Sequence, residues 1–313
     1  MTRQIRRVAV IGTGVIGASW TALFLAKGID VAAADVAPGA EGRLKEFLDA
    51  ARPQLEQLGA TSDKPGRLTF HADVAAAVKG VDLVQENGPE RIDFKRQLYA
   101  QLDELLAEDV IIASSSSGLT MSEIQVACAR HPERCVIGHP FNPPHLIPLV
   151  EIVGGAKTSE DAMARLEQFY TGLGKRTIRL NKEVPGHVAN RLQAALWREV
   201  VHLVSEGVVS VADADTAVCW GPGLRWGVMG PTLLFHLGGG HGGIEHFFDQ
   251  FTGPMTAWWS VLGNPKITPE VRRIVTDGVM KQVDGRTVEQ LEVERDRMLM
   301  GLLAVRASQD GAK

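Results

Sequence analysis

Apolar and polar positions alternate in a repeating order along the first 184 residues. Short apolar runs of strand length are separated by stretches in which apolar residues recur at helical spacing. Strands that alternate with helices in this way predict a parallel, doubly wound α/β sheet. The predicted strands lie at residues 8–11, 30–34, 68–70, 81–85, 110–113, 135–138, 147–153 and 175–180.

The pattern changes at the Val-Pro-Gly sequence of residues 184–186, after which no strand alternation is found. Apolar residues then follow helical spacing, and Ser210, Thr268 and Thr287 each stand where a helix would begin. We therefore predict an α/β domain at residues 1–184 and a smaller all-helical domain at residues 185–313. The last helix is expected to end near residue 304, and residues 308–313 to form a frayed tail.

A glycine-rich turn follows the first predicted strand. Gly12 permits a tight turn, Gly14 lets a pyrophosphate approach the backbone, and Gly17 lets helix and strand pack closely. The second strand ends on Asp35, which can accept hydrogen bonds from a ribose 2′-hydroxyl and would repel a 2′-phosphate. This order of elements indicates a Rossmann-type domain that binds NAD rather than NADP. The predicted contacts are Gly12, Gly14, Val15, Ile16, Gly17 and Asp35.

Polar side chains gather where later strands of the domain end. His139 and Asn142 follow one apolar run, Glu151 ends the next, and Ser117 lies in the serine-rich turn before them. Ligands of open α/β sheets bind beyond the carboxyl ends of the strands. A histidine whose tautomer is fixed by a carboxylate is suited to proton transfer. We predict a catalytic site here; the alternative is that His139 merely caps a strand between prolines.

Composition excludes several other classes of protein. The chain has 313 residues, of which 45% are hydrophobic and 22% charged, and a net charge of -4 without any basic run, so no nucleic-acid partner is expected. No apolar run is long enough for a membrane helix. The spacing of Cys128, Cys135 and Cys219 suits neither a disulfide framework nor a metal, which fits a cytoplasmic location. His241 and His246 lack metal spacing as well, so no metal is predicted.

Six sequence motifs together carry a resemblance to a known family. The chain resembles the NAD-dependent L-3-hydroxyacyl-CoA dehydrogenase superfamily over nearly its whole length. The motifs are V-A-V-I-G-T-G-V-I-G, E-N-G-P-E-R-I-D-F-K, S-S-S-S-G-L, H-P-F-N-P-P, L-V-E and K-E-V-P-G-H-V-A-N-R-L. The resemblance implies catalytic roles for His139, Glu151, Ser117 and Asn190, of which Ser117 and Asn190 would also contact substrate. It further implies cofactor contacts from Glu90, Lys95 and Asn142.

Within the superfamily the motifs are most similar to the branch that oxidises free hydroxy acids. That branch includes carnitine 3-dehydrogenase and L-gulonate 3-dehydrogenase, the relatives of lambda-crystallin. The stretch at residues 36–66 lacks the lysine-rich hairpin with which the acyl-CoA branch grips its nucleotide. Two departures, Ser116 where threonine is usual and an H-G-G-I-E-H segment, leave the substrate open between a carnitine-like acid, a gulonate-type acid and a short acyl-CoA.

Two residues of the helical domain suit a carnitine-like substrate. Arg225 could bind a free carboxylate through two hydrogen bonds, and the ring of Trp226 could bind a quaternary ammonium. The alternative is that both residues pack at a domain interface. Ser117 and Asn190 have alternatives as well: Ser117 could cap the helix that follows it, and Asn190 could only begin a helix. The predicted function is therefore oxidation of the 3-hydroxyl of a small free L-3-hydroxy acid by NAD, with a carnitine-like substrate preferred. The alternative from another class is a catalytically silent, crystallin-like NAD-binding protein.

The helical domain is also expected to mediate self-association. It holds five of the six tryptophans of the chain and an excess of apolar residues. Exposed apolar patches of this kind usually mark contact surfaces. We therefore predict a homodimer formed through the helical domain.

Overall fold

A computed structural model describes residues 4–310 and divides the chain after Arg191 into two compact units. The first unit is built on one sheet of eight strands in the order β3-β2-β1-β4-β5-β6-β7-β8. The strands are β1 Arg7–Ile11, β2 Asp30–Ala34, β3 Leu68–His71, β4 Leu83–Glu86, β5 Ile111–Ser114, β6 Cys135–Pro140, β7 Leu149–Gly154 and β8 Arg176–Arg179. The predicted α/β sheet is confirmed, and each predicted strand has its counterpart in it.

Helices connect most successive strands of this sheet. They are α1 Val15–Ala26, α2 Ala40–Gln57, α3 Val74–Ala77, α4 Ile92–Leu105, α5 Met121–Gln125 and α6 Glu160–Gly172. Alternate residues of each strand point to opposite faces, so Val8 and Val10 join one apolar core whereas Ala9 and Ile11 join the other. Burial on both faces explains why these strands are continuous apolar runs in the sequence.

One strand pair departs from the parallel arrangement that the sequence predicts. β7 runs antiparallel to β6, and His139 pairs directly with Glu151 in that register. Glu151, which the sequence places at the end of the apolar run at residues 147–150, is the third residue of β7 and not its last. A parallel neighbour needs a crossover, usually a helix. The short loop at residues 141–148 has none, so the chain turns back on itself.

The second unit consists of helices, as predicted. They are α7 Ala189–Ser205, which begins in the first unit, α8 Val211–Trp220, α9 Pro222–Trp226, α10 Pro231–Gly238, α11 Gly243–Val261, α12 Pro269–Val283 and α13 Val288–Asp310. The hydroxyl oxygens of Ser210, Thr268 and Thr287 accept hydrogen bonds from Asp213 N, Val271 N and Gln290 N, so all three predicted caps are present. The frayed tail is wrong for residues 308–310, which continue α13, and its residues 311–313 lie outside the described part.

The H-G-G-I-E-H segment has a local structural role. His236 Nδ1 accepts a hydrogen bond from Ile244 N at 3.1 Å, and His246 Nδ1 donates to Gly239 O at 2.9 Å. These bonds hold the glycine-rich turn between α10 and α11. Within residues 4–310 no group of three or more His, Cys, Asp or Glu side chains is arranged to bind a metal. None of the helices described in that range is long and apolar enough to cross a membrane.

Candidate active site

His139 and Glu151 form the centre of the site. They face each other across the β6–β7 pair, with His139 Nδ1 at 2.8 Å from Glu151 Oε2. His139 is 4% exposed and Glu151 0% exposed. Since a carboxylate can only accept, His139 carries its proton on Nδ1 and keeps a lone pair on Nε2. Ser117 Oγ lies 3.2 Å from that nitrogen.

The second carboxylate oxygen of Glu151 is bound by backbone groups. Glu151 Oε1 accepts from Val188 N at 2.8 Å and from Ala189 N at 3.0 Å, at the beginning of α7. Burial favours the neutral acid, but the hydrogen bonds from His139 and from these two amides outweigh it and lower the pKa of Glu151. The carboxylate therefore stays ionised at neutral pH and fixes the tautomer of His139.

Glu90 holds the serine-rich turn that presents Ser117. Glu90 Oε1 accepts from Ser116 Oγ at 2.6 Å and from the backbone nitrogens of Ser117 at 3.0 Å, Gly118 at 2.7 Å and Leu119 at 3.2 Å. Burial opposes ionisation here too, yet these hydrogen bonds and the charge of Lys95 lower the pKa of Glu90. The Glu90 side chain is 43% exposed, so it keeps a free surface. The predicted cofactor contact of Glu90 remains a prediction.

Lys95 lies beneath this turn rather than on the surface. Its side chain is 1% exposed, and its ammonium bonds both carboxylate oxygens of Glu86, at 2.8 and 2.9 Å. Glu86 also accepts from Ser114 Oγ at 2.7 Å and from Gly88 N at 2.6 Å. This ion pair fixes the ends of β4 and β5, which precede the turn. Because the Lys95 side chain is buried, it presents no exposed part to a cofactor. The contact of Lys95 with the cofactor that the resemblance implies stays a prediction.

The glycine-rich turn has the shape that a dinucleotide phosphate requires. Gly12 has a φ of 85°, and a Cβ on Gly17 would lie 1.9 Å from Gly12 O. A Cβ on Gly14 would meet nothing within 4 Å, so the space beside this residue is open to a phosphate. Val15 and Ile16 begin α1, whose first backbone N–H groups and dipole favour an anion there. The residues present therefore fit a bound pyrophosphate.

Asp35 stands at the end of β2, where a ribose would be bound. Its carboxylate accepts from Thr13 N at 2.7 Å, Thr13 Oγ1 at 3.0 Å and Ala37 N at 2.9 Å. Burial opposes ionisation, but these bonds and the charge of Arg43 lower the pKa of Asp35. Arg43 itself donates to Pro38 O. A carboxylate offers about four acceptor positions, so Asp35 can still accept from a ribose hydroxyl.

Within residues 4–310, none of the four remaining predicted residues forms a hydrogen bond with His139, Glu151 or Ser117. Asn142 is exposed in the loop between β6 and β7, and Asn190 is half-buried in the first turn of α7, next to Ala189. Arg225 and Trp226 are exposed on α9 of the second unit. The roles assigned to these four residues from the sequence stay predictions.

His187 and Glu86 are the two residues of the site that the sequence analysis missed. His187 is 2% exposed, and its Nε2 donates to Ser116 O at 3.0 Å. Glu86 bears the charge that pairs with Lys95. Both belong to motifs that carry the family resemblance, Glu86 to E-N-G-P-E-R-I-D-F-K and His187 to K-E-V-P-G-H-V-A-N-R-L, and those motifs are the signal by which they could have been found.

Two family models together match most of the chain. The NAD-binding domain of 3-hydroxyacyl-CoA dehydrogenase matches residues 7–184, and the C-terminal domain of the same enzyme matches residues 186–282. The chain belongs to the 3-hydroxyacyl-CoA dehydrogenase family. The resemblance recognised in the motifs is confirmed, as are the NAD cofactor and the assignment as a dehydrogenase.

Individual members of the family extend this similarity over nearly the full length. The chain is 47% identical over 301 residues to an L-carnitine dehydrogenase of Streptomyces coelicolor, covering 96% of this chain and 94% of that one. It is also 47% identical to an L-carnitine dehydrogenase of Streptomyces griseus, covering 96% and 90%. A solved structure of 5-formyl-3-hydroxy-2-methylpyridine 4-carboxylic acid 5-dehydrogenase, an NAD+-dependent dismutase, is 33% identical with a TM-score of 0.84, covering 98% and 99%.

Proposed function

We propose that this protein oxidises the 3-hydroxyl group of a small free L-3-hydroxy acid to the 3-oxo acid, with L-carnitine as the preferred substrate. The observation that carries the proposal is the pair formed by His139 Nδ1 and Glu151 at 2.8 Å, which leaves Nε2 as a proton acceptor. The similarity to proteins named L-carnitine dehydrogenase supports this choice of substrate.

The side chains of the site have separate tasks in this reaction. His139 Nε2 takes the proton of the substrate hydroxyl, and Glu151 stabilises the imidazolium that results. Ser117, whose Oγ lies 3.2 Å from that nitrogen, orients the reacting oxygen. NAD, when bound, accepts a hydride from the substrate carbon that bears this hydroxyl. Asn190 is the second proposed contact to the substrate.

Carnitine carries a carboxylate and a quaternary ammonium, and the chain has candidates for both groups. We assign the carboxylate to Arg225, because a guanidinium binds it with two parallel hydrogen bonds. The ammonium is assigned to the face of Trp226, which attracts cations. The three cations of α2 already have partners with which the phosphate of a CoA ester would compete: Lys45 bonds Glu41 at 2.7 Å, Arg52 lies 3.3 Å from Asp49, and Arg43 donates to Pro38 O.

The test is a substrate panel scored by the absorbance of NADH. It comprises L-carnitine, L-gulonate, 3-hydroxybutyrate and the CoA ester of 3-hydroxybutyrate. We expect L-carnitine to give the highest kcat/KM. The variant His139→Gln, which fills a similar volume without a proton acceptor in place, should lose about 10²- to 10⁴-fold in kcat while NAD binding persists.

The other outcomes separate the alternatives. Turnover of L-gulonate in place of L-carnitine would show that the proposed substrate is wrong but that the proposed reaction is right. Turnover of the CoA ester alone would place the protein with the acyl-CoA branch. A wild-type protein that binds NAD and oxidises none of the four compounds, with His139→Gln no different, would establish the silent crystallin-like alternative and refute the proposal.

We further propose that the protein is cytoplasmic, that its functional domains meet at residues 184/185, and that it forms a homodimer through the helical domain. The ranges of the two family matches, 7–184 and 186–282, support the domain boundary. Large apolar side chains on the surface of the second unit support the dimer. These include Trp220, Trp258 and Trp259, which are 78%, 59% and 64% exposed.

A further inference from the structure

A second histidine lies beside the catalytic one. The ring centroids of His187 and His139 are 5.0 Å apart, with the ring planes inclined by 52°. His187 is 2% exposed, and its Nε2 is 3.0 Å from the carbonyl oxygen of Ser116. No step of the proposed reaction uses this ring, so its burial beside the reacting histidine needs a separate explanation.

The backbone that carries His187 has an unusual conformation. Gly186 has a φ of 77° and His187 a φ of 49°, both in the left-handed region, which residues other than glycine seldom occupy. The next two amides, of Val188 and Ala189, are those that bind Glu151. One four-residue segment therefore touches both the carboxylate that holds His139 and the turn that holds Ser117.

The bond from His187 completes the fixation of one peptide plane. The peptide between Ser116 and Ser117 has its N–H bound by Glu90 at 3.0 Å and its C=O bound by His187 at 3.0 Å. A peptide group is planar, so fixing both of its polar ends leaves it no rotation about its own axis. That plane sets the direction in which Ser117 projects its hydroxyl toward His139 Nε2.

The protonation state of His187 follows from its partner. A carbonyl oxygen can only accept, so the proton resides on Nε2, while Nδ1 has no partner among the described residues. Burial lowers the pKa of His187; the bond to Ser116 O and the charges of Glu151 and Glu90 oppose that effect, and His139 adds to it. The ring therefore stays neutral and adds no charge beside His139.

We propose that His187 is a positioning residue, which acts on the reaction by holding the Ser116–Ser117 peptide so that the Ser117 hydroxyl faces His139. The role rests on the proposed function, because Ser117 matters only if the site transfers a proton. His187 needs no contact with substrate or cofactor for this role. Its effect should therefore be seen in kcat and vanish when Ser117 has no hydroxyl.

The experiment compares two replacements of His187. His187→Gln keeps an N–H donor at the position of Nε2, whereas His187→Phe keeps a ring but no donor. Wild type, both variants, Ser117→Ala and the double variant His187→Phe/Ser117→Ala are assayed with the 3-hydroxy acid that the wild type oxidises. The affinity for NAD and the thermal unfolding midpoint are measured for each, so that a folding defect is recognised.

We expect His187→Phe to lower kcat by about ten- to a hundredfold with unchanged NAD affinity, and His187→Gln to recover most of the loss. In the Ser117→Ala background, His187→Phe should change kcat by less than about threefold, since both changes affect one interaction. A glutamine variant as impaired as the phenylalanine variant, or additive losses in the double variant, would overturn the proposal.

A measurement that needs no turnover separates this proposal from the proposed function. In 15N-labelled protein, the amide resonance of Ser117 should move in His187→Phe and stay near its wild-type position in His187→Gln. If the wild type oxidises no 3-hydroxy acid, the proposed function fails, but the amide resonance still decides whether His187 holds the peptide. An unmoved resonance in His187→Phe would refute the role.

Discussion

The two oxygens of the Glu151 carboxylate have different partners and different effects. Oε2 binds His139 Nδ1, and Oε1 binds the amides of Val188 and Ala189. The amides keep the carboxylate ionised and fixed, and the fixed carboxylate orients the imidazole. Catalytic competence at this site therefore depends on a charge that is held in place, and not on the proximity of a histidine alone.

Replacing Glu151 by Gln tests this dependence. The amide oxygen of the glutamine can accept from Val188 N and Ala189 N, which leaves its NH₂ group facing His139 Nδ1. An NH₂ group donates, so His139 would move its proton to Nε2 and lose its acceptor. We expect kcat to fall by about 10³-fold or more while the fold and the NAD affinity are kept. Steady-state kinetics and circular dichroism provide the measurements.

Asp at position 151 is the matched control for that experiment. Glu151→Asp keeps the charge but shortens the side chain, so it should retain the Nδ1–H tautomer at reduced efficiency and be impaired less than Glu151→Gln. Equal activity of Glu151→Gln and wild type would contradict a catalytic role for the carboxylate.

At the scale of single residues, the sequence predicted the site residues whose chemical role can be recognised without knowing what surrounds them. His139 and Glu151 stand in or beside apolar runs, where a polar side chain indicates a functional role. His187 could not be found in this way, because a lone histidine after Pro-Gly is typical of a loop. The role of His187 depends on a left-handed turn that brings it to Ser116, a residue 71 positions away in the chain.

At the scale of elements, the loop at residues 141–148 decides the geometry of the site. It reverses the chain, makes β7 antiparallel to β6 and so sets Glu151 opposite His139. The sequence predicted both strands but gave them the wrong relative direction, since apolar runs look alike in either orientation. The loop is held from outside: Lys175, before β8, donates to Pro144 O and to Ile147 O, the latter at 3.0 Å.

The burial of Lys175 predicts a dependence of stability on pH. Burial lowers the pKa of Lys175 to about 7, below its value of about 10.4 in an unfolded chain. Between these values the unfolded state binds more protons, so the free energy of unfolding should rise with pH, by up to about 1.4 kcal/mol per pH unit. Urea unfolding followed by circular dichroism from pH 7 to 10 measures this slope. Lys175→Met removes the titrating group and should therefore reduce the slope by up to about 1.4 kcal/mol per pH unit.

Lys182→Met removes the same charge from an exposed position and serves as the control. Because both variants change the net charge equally, a difference between their slopes reports on the burial of Lys175. The prediction fails if Lys175→Met and wild type gain stability in parallel over this range. Absolute stability is not the readout, since the methionine also leaves Pro144 O and Ile147 O without their donor.

At the scale of the whole molecule, the two units differ in how much apolar surface they bury. The first unit has extensive cores on both faces of its sheet. Among the described residues of the second unit, the buried apolar cluster comprises Val204, Val211 and Ala214 with a few partly buried neighbours. The sequence predicted the helical character of this unit from apolar spacing. It did not locate α9, α10 or α11, because glycines and prolines interrupt the spacing there.

The exposed tryptophans of α11 predict how the chains associate. Trp258 and Trp259 are 59% and 64% exposed, and a buried interface tryptophan commonly contributes about 2 kcal/mol or more, which is about thirtyfold in Kd. Light scattering after size exclusion should give twice the 33.8 kDa chain mass for the wild type and a shift toward one chain for Trp258→Arg/Trp259→Arg. Val126→Arg, at a site 59% exposed in the first unit, should leave the mass unchanged. A wild-type monomer, or a dimer that tolerates both arginines, would exclude an interface through this helix.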